Sequence, residues 1–93
     1  MESLYQLGEI VVSTAGRDRG KLYLVVNIID DNYIEVADGD KKRMERPKLK
    51  NIKHLRSTGY IDEELSIWLS SGKRVRNEDL KKRLKDYENE EAK

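Results

Sequence analysis

The sequence predicts an α+β fold. A small barrel of short strands occupies residues 1–57, and a helical extension over residues 58–93 belongs to the same domain. Three observations lead there. Short apolar runs in the N-terminal half are broken by turn residues at Gly16–Gly20, Asp30–Asn32 and Asp38–Gly39. After Ser57-Thr58-Gly59 the apolar residues fall at helical rather than alternating spacing. A chain of 93 residues has room for one modest core.

The first strand is expected over Leu7 to Ser13 and the second over Lys21 to Ile29. The second run is almost continuously apolar and β-branched in its later half, which favours a strand buried on both faces. Asp30-Asp31-Asn32 reads as a turn. Tyr33 to Ala37 alternates, with Ile34 and Val36 on one face and Tyr33 and Glu35 on the other. Asp38-Gly39 turns the chain again into a basic segment, Lys41 to Lys53, where Pro47 limits pairing to an edge or a break. A short strand at Ile52 to Leu55 would close the sheet. Four or five such strands with tight turns in about 55 residues make a small SH3-like barrel.

In the remainder, Asp62-Glu63-Glu64 sets negative charge at a helix start, where it complements the helix dipole. Ile61, Leu65, Trp68 and Leu69 share one face, which makes core packing the first role of Trp68. Ser70-Ser71-Gly72 ends that helix. Asn77 is the expected N-cap of a second helix, with Glu78 and Asp79 in its first turn and Leu80, Leu84 and Tyr87 as its apolar stripe. The final Glu88 to Lys93 is polar and expected to fray.

Composition narrows the function. There is no cysteine, which excludes disulfides and thiolate metal sites and fits a cytoplasmic protein. No signal-peptide pattern and no apolar run long enough for a membrane are visible. The single histidine, His54, makes a metal site improbable; it reads as a strand residue or part of a basic surface. No Ser/His/Asp pattern suggests a triad, the acidic turns do not match a calcium loop, and the glycine loop lacks the ending of a P-loop. An enzyme is not expected, nor any cofactor, metal or catalytic residue.

Charge distribution is more informative than the total of +1. Residues 1–40 carry three Lys/Arg against eight Asp/Glu, whereas residues 41–56 carry eight against one. Screening acts over about 8–10 Å at physiological salt, so local charge sets the field that a polyanion meets. Two groups of candidate binding residues follow. One is the loop between the first two strands, with Arg17, Arg19 and Lys21 around two glycines; arginine forks match phosphate geometry. The other is the basic segment, with Lys41, Lys42, Arg43, Arg46, Lys48, Lys50, Lys53 and His54. Such a surface binds phosphates with salt-dependent affinity and reads little sequence. Tyr33, if exposed, would offer a stacking face.

The run Gly8 to Val26, two strand-like segments around Gly16-Arg17-Asp18-Arg19-Gly20-Lys21, resembles a KOW motif. With Ile28-Ile29-Asp30-Asp31, Val36-Ala37-Asp38-Gly39 and Asn51-Ile52-Lys53-His54-Leu55 in that order, residues 6–56 resemble the archaeal and eukaryotic large-subunit ribosomal family of the fourteen-e class. The resemblance implies an SH3-like barrel whose first hairpin loop and basic strands contact ribosomal RNA, and a translation-related role. It also implies a ribosomal or translation-factor protein as a second partner. The near-neutral total and acidic end fit an accessory place on the ribosome. The alternative is a protein-interaction module that uses the barrel or the helical tail, for which an exposed apolar patch around Ile61, Leu65 and Trp68 would speak.

Overall fold

The computed structural model describes residues 4–91. Five strands are formed: β1 (Glu9–Ser13), β2 (Leu22–Ile28), β3 (Tyr33–Ala37), β4 (Lys48–Asn51) and β5 (Leu55–Ile61). Two helices follow, α1 (Glu63–Ser70) and α2 (Asn77–Glu91). The strands make one antiparallel sheet in the order β4-β3-β2-β1-β5.

The apolar run of β2 is buried on both faces, as its composition requires. Leu24 and Val26 enter a core shared with Ile10, Leu65, Val75, Leu80 and Leu84, so both helices pack on this side of the sheet. Tyr23 and Val25 enter a second core with Tyr5, Val11, Ile34, Val36 and Leu55. Each fully buried leucine or isoleucine contributes about 1.5–3 kcal/mol relative to exposure. β3 alternates as expected, with Ile34 and Val36 buried and Tyr33 exposed.

The second core exists because the sheet curls. Three strand spacings of about 4.8 Å would set β4 and β1 some ~14 Å apart in a flat sheet, beyond a lysine's reach. Lys50 on β4 nevertheless donates to Ser13 Oγ on β1 at 3.1 Å. The two edges of the curl, β4 and β5, do not pair with each other. The shape is a curled α+β sheet with helices on one face, and the expected closure is not made by strand pairing among the described residues.

Three expectations are corrected. Ile52–His54 forms a 3-10 turn, not a strand, because Asn51 Oδ1 accepts the Lys53 N–H at 2.9 Å and draws the backbone out of the ladder. Ser57-Thr58-Gly59 lies inside β5 rather than between units. The register shifts there between Glu9 and Val11, and Thr58 Oγ1 donates to the Ile10 carbonyl at 2.7 Å, so the bulge keeps its backbone partnered. Asn77 does not cap α2. The Asp79 carboxylate accepts the Arg76 N–H at 3.0 Å instead, and the buried Asn77 side chain is spent on the β3–β4 loop. Asp62 caps α1 as its position suggested, accepting from Leu65 N at 3.0 Å. Helix α2 continues through Glu88 to Glu91; residues 92–93 of the segment expected to fray lie outside the described residues.

Gly39 shows how closely sheet and helix meet. Its φ is +79°, and a Cβ there would fall 2.2 Å from the Asn77 carbonyl oxygen. Only glycine allows the turn after β3 to rest on the start of α2.

Candidate nucleic-acid interface

The β1–β2 loop is built around an inward carboxylate. Gly16 and Gly20 take positive φ, the Arg19 N–H reaches the Gly16 carbonyl, and the Gly20 N–H reaches the Ser13 carbonyl. Asp18 is thereby turned into the mouth of the curled sheet. Its Oδ1 accepts from Ser13 Oγ at 2.8 Å and Lys50 Nζ at 3.1 Å. Its Oδ2 accepts from Tyr23 Oη at 2.8 Å and Lys48 Nζ at 3.1 Å. Burial alone would raise the Asp18 pKa. Hydrogen bonds from Tyr23, Ser13, Lys48 and Lys50 outweigh it and hold the carboxyl well below the usual carboxylate range. Burial and the charge of Asp18 push the Tyr23 hydroxyl up. Arg17 and Arg19, on either side of Asp18, are exposed, and neither lies within ion-pair distance of a carboxylate among the described residues.

The other expected residues fall into two groups. Lys48, Lys50, Lys53 and His54 surround the same mouth. Lys53 and His54 are exposed, and the His54 carbonyl accepts the Thr14 N–H at 2.9 Å, which ties the 3-10 turn to the loop. Lys48 is half-buried and Lys50 is only 7% exposed, so both ammonium groups are held by Asp18 rather than offered outward. On β4 it is Leu49, 57% exposed, that faces solvent.

Lys41, Lys42, Arg43 and Arg46 lie in the β3–β4 loop, which is fastened to the helices. Asp38 Oδ1 accepts the Asp40 and Lys42 N–H groups at 2.9 Å each. Asn77 Oδ1 accepts the Met44 N–H at 2.8 Å, while its Nδ2 donates to Glu45 Oε1 at 2.8 Å. Arg43 pairs with Glu45 at 3.3 Å; Lys41 and Arg46 are exposed. Lys21 joins the groups, since it leaves the loop and meets Asp38 at 2.7 Å. Burial of Asp38 is outweighed by Lys21 and the two backbone donors, so its carboxyl is also lowered.

Asp18 was the residue that sequence reasoning missed. Its signal was a lone acid between two arginines and two glycines. The face named for a protein partner packs inward: Leu65 is fully buried, and Ile61 and Trp68 are half-buried. Lys73 lies 4.3 Å and Arg83 5.3 Å from the Trp68 ring centroid. Among the described residues no helix is long and apolar enough to cross a membrane, and no group of three or more His, Asp or Glu could hold a metal ion.

Fold and site together define a small sheet-and-helix protein with a braced, arginine-tipped hairpin. Known proteins give the particular family. The chain is 40% identical to the large ribosomal subunit protein eL14 of Desulfurococcus amylolyticus, over 64% of this chain and 71% of that protein. It is 31% identical to the eL14 of Pyrobaculum islandicum, over 70% and 71%. With the eL14 of Pyrobaculum calidifontis it shares 30% identity over 91% and 88%. No family model matches the chain. The chain belongs to the eL14 family of large ribosomal subunit proteins, as the KOW-like hairpin and its following segments led us to expect.

Proposed function

We propose that this protein is a non-catalytic component of the large ribosomal subunit that binds structured ribosomal RNA in the cytoplasm. In this reading the curled sheet is the wall of an SH3-like KOW barrel, and barrel and helices act as one domain. The names of its relatives favour a subunit protein over an accessory factor.

The observation that carries the proposal is the loop geometry. Asp18 is bound inward by four donors, and Arg17 and Arg19 are left exposed beside it. Arginines on a braced backbone lose little freedom when they engage phosphate oxygens. Arg17 and Arg19 are the primary contacts, with Lys41, Lys42, Arg43, Arg46, Lys53 and His54 around them. Lys21, Lys48 and Lys50 act by holding Asp38 and Asp18, and so the loop. A-form RNA is recognised largely by shape and backbone, which suits contacts of this kind.

The test is binding to a transcript of archaeal large-subunit ribosomal RNA and to a DNA duplex of equal length, across a salt series. RNA preference at physiological salt, with affinity and salt slope both reduced in Arg17→Ala/Arg19→Ala, is expected. Equal, weak binding to both polymers that vanishes at that salt would overturn the proposal and bring forward the protein-partner reading.

A further inference from the structure

We infer that the loop joining α1 to α2 is a second RNA-contact surface, which takes phosphodiester backbone through Arg74 and Arg76. The inference rests on the RNA-binding reading above. Nothing in the sequence pattern singled this loop out, because residues 57–76 balance three positive against three negative charges. In the structure the signs separate. Asp62 and Glu64 are held by Arg83 beside the start of α1. Lys73, Arg74 and Arg76 are exposed in the loop.

The loop repeats the layout of the hairpin tip. Val75, 6% exposed, is buried in the helix-side core between two exposed arginines, as Asp18 is held between Arg17 and Arg19. Neither Arg74 nor Arg76 is within ion-pair distance of a carboxylate among the described residues. The backbone below them is fixed, since the Arg76 N–H is bound by Asp79 at 3.0 Å and the Arg76 carbonyl accepts from Asp79 N and Leu80 N. That bond occupies Asp79, and the nearer acid, Glu78, is exposed and within ion-pair distance of neither arginine.

Arg43 reaches the same place from the sheet. Asn77 latches Met44 and Glu45 to the start of α2, and Arg43, Arg74 and Arg76 line one depression there together with Glu45 and Glu78. Through this latch the basic β3–β4 loop runs from the hairpin mouth, at Lys48, to the helix junction. A polyanion lying along it would meet arginines at both ends. Two arginine-bearing loops, joined through the Asn77 latch, suit two phosphate stretches of one folded RNA better than a single short peptide.

The experiment uses the full chain with the same ribosomal RNA transcript and DNA duplex, adding hydroxyl-radical footprinting. Arg74→Ala/Arg76→Ala is expected to lower the salt slope by about 2, one per lost phosphate contact. It should also erase one protected stretch of RNA while that lost in Arg17→Ala/Arg19→Ala persists. Arg74→Gln/Arg76→Gln carries the same expectation if alanine perturbs the loop. Should Arg17→Ala/Arg19→Ala weaken binding while slope and footprint stay unchanged in both Arg74/Arg76 variants, this inference falls and the first reading stands. A wild-type chain with no preference for RNA over the duplex would bring down both.

Discussion

The Lys50 ammonium lies 3.1 Å from Asp18 Oδ1, although Lys50 sits on the edge strand β4 and Asp18 at the tip of the first hairpin. This pair crosses the mouth of the curled sheet and links the two regions that the sequence offered as candidate binding sites. Lys50 is expected to matter for stability more than for direct phosphate contact. Lys50→Ala should cost about 2–4 kcal/mol in urea unfolding, because the Asp18 carboxylate loses a partner away from water. A loss below about 0.5 kcal/mol, the level of ordinary surface changes, would show that the pair does not brace the sheet.

Acid should reach the same feature. A carboxyl whose pKa is lower folded than unfolded contributes stability above its unfolded value, near ~3.9, and loses it as pH falls toward the folded value. Asp18 and Asp38 are both lowered. Stability should therefore fall as pH drops below about 4, and Asp18→Asn should flatten part of that fall. Thermal melts between neutral and strongly acid pH would show it; parallel curves for both proteins would exclude Asp18 as a source.

Gly39→Ala should be costly. The φ of +79° disfavours any side chain, and the new Cβ would meet the Asn77 carbonyl at 2.2 Å. A loss of about 2–4 kcal/mol is expected, combining backbone strain with separation of turn and helix. Calorimetry should register a drop of several degrees. An unchanged melting temperature would mean that this contact is not maintained in solution.

Asn77→Ala should release the β3–β4 loop while leaving α2 in place. Two hydrogen bonds are lost, and the Met44 N–H is left without its partner. The expected cost is about 1–2 kcal/mol. Hydrogen exchange at Met44 should quicken while that at Leu84 holds. Faster exchange along all of α2 would instead make Asn77 a cap.

Much of this architecture was legible from the chain. Alternation in Tyr33–Ala37 set both the bounds and the faces of β3, and Asp62-Glu63-Glu64 marked the start of α1. Arg17 and Arg19 at a tip could be read from the glycines beside them. The direction of Lys48 and Lys50 could not. Lys48-Leu49-Lys50 reads as leucine inward, yet the partner that inverts it, Asp18, lies 30 and 32 residues away. Asn77 misled for the same reason: an amide that suits a cap equally suits a loop 33 residues distant. Local propensity ranks local partners, and in these places a distant one prevailed.

The two-sided burial of β2 has a further consequence. A strand with one apolar face is aligned by that face, since a slip of one residue exposes it. β2 lacks this safeguard, because Leu22 to Val26 is apolar throughout and would still bury well after such a slip. Its alignment falls to a few polar marks, the Tyr23 hydroxyl on Asp18 at 2.8 Å and the Asn27 amide on Glu35 at 2.9 Å. The carboxylate that shapes the hairpin tip is thus also the index by which the chain chooses one pairing over its near-equal neighbour. Changes at Asp18 that reshape the hairpin tip will therefore alter the fidelity of folding as well, and loop shape and strand register cannot drift independently.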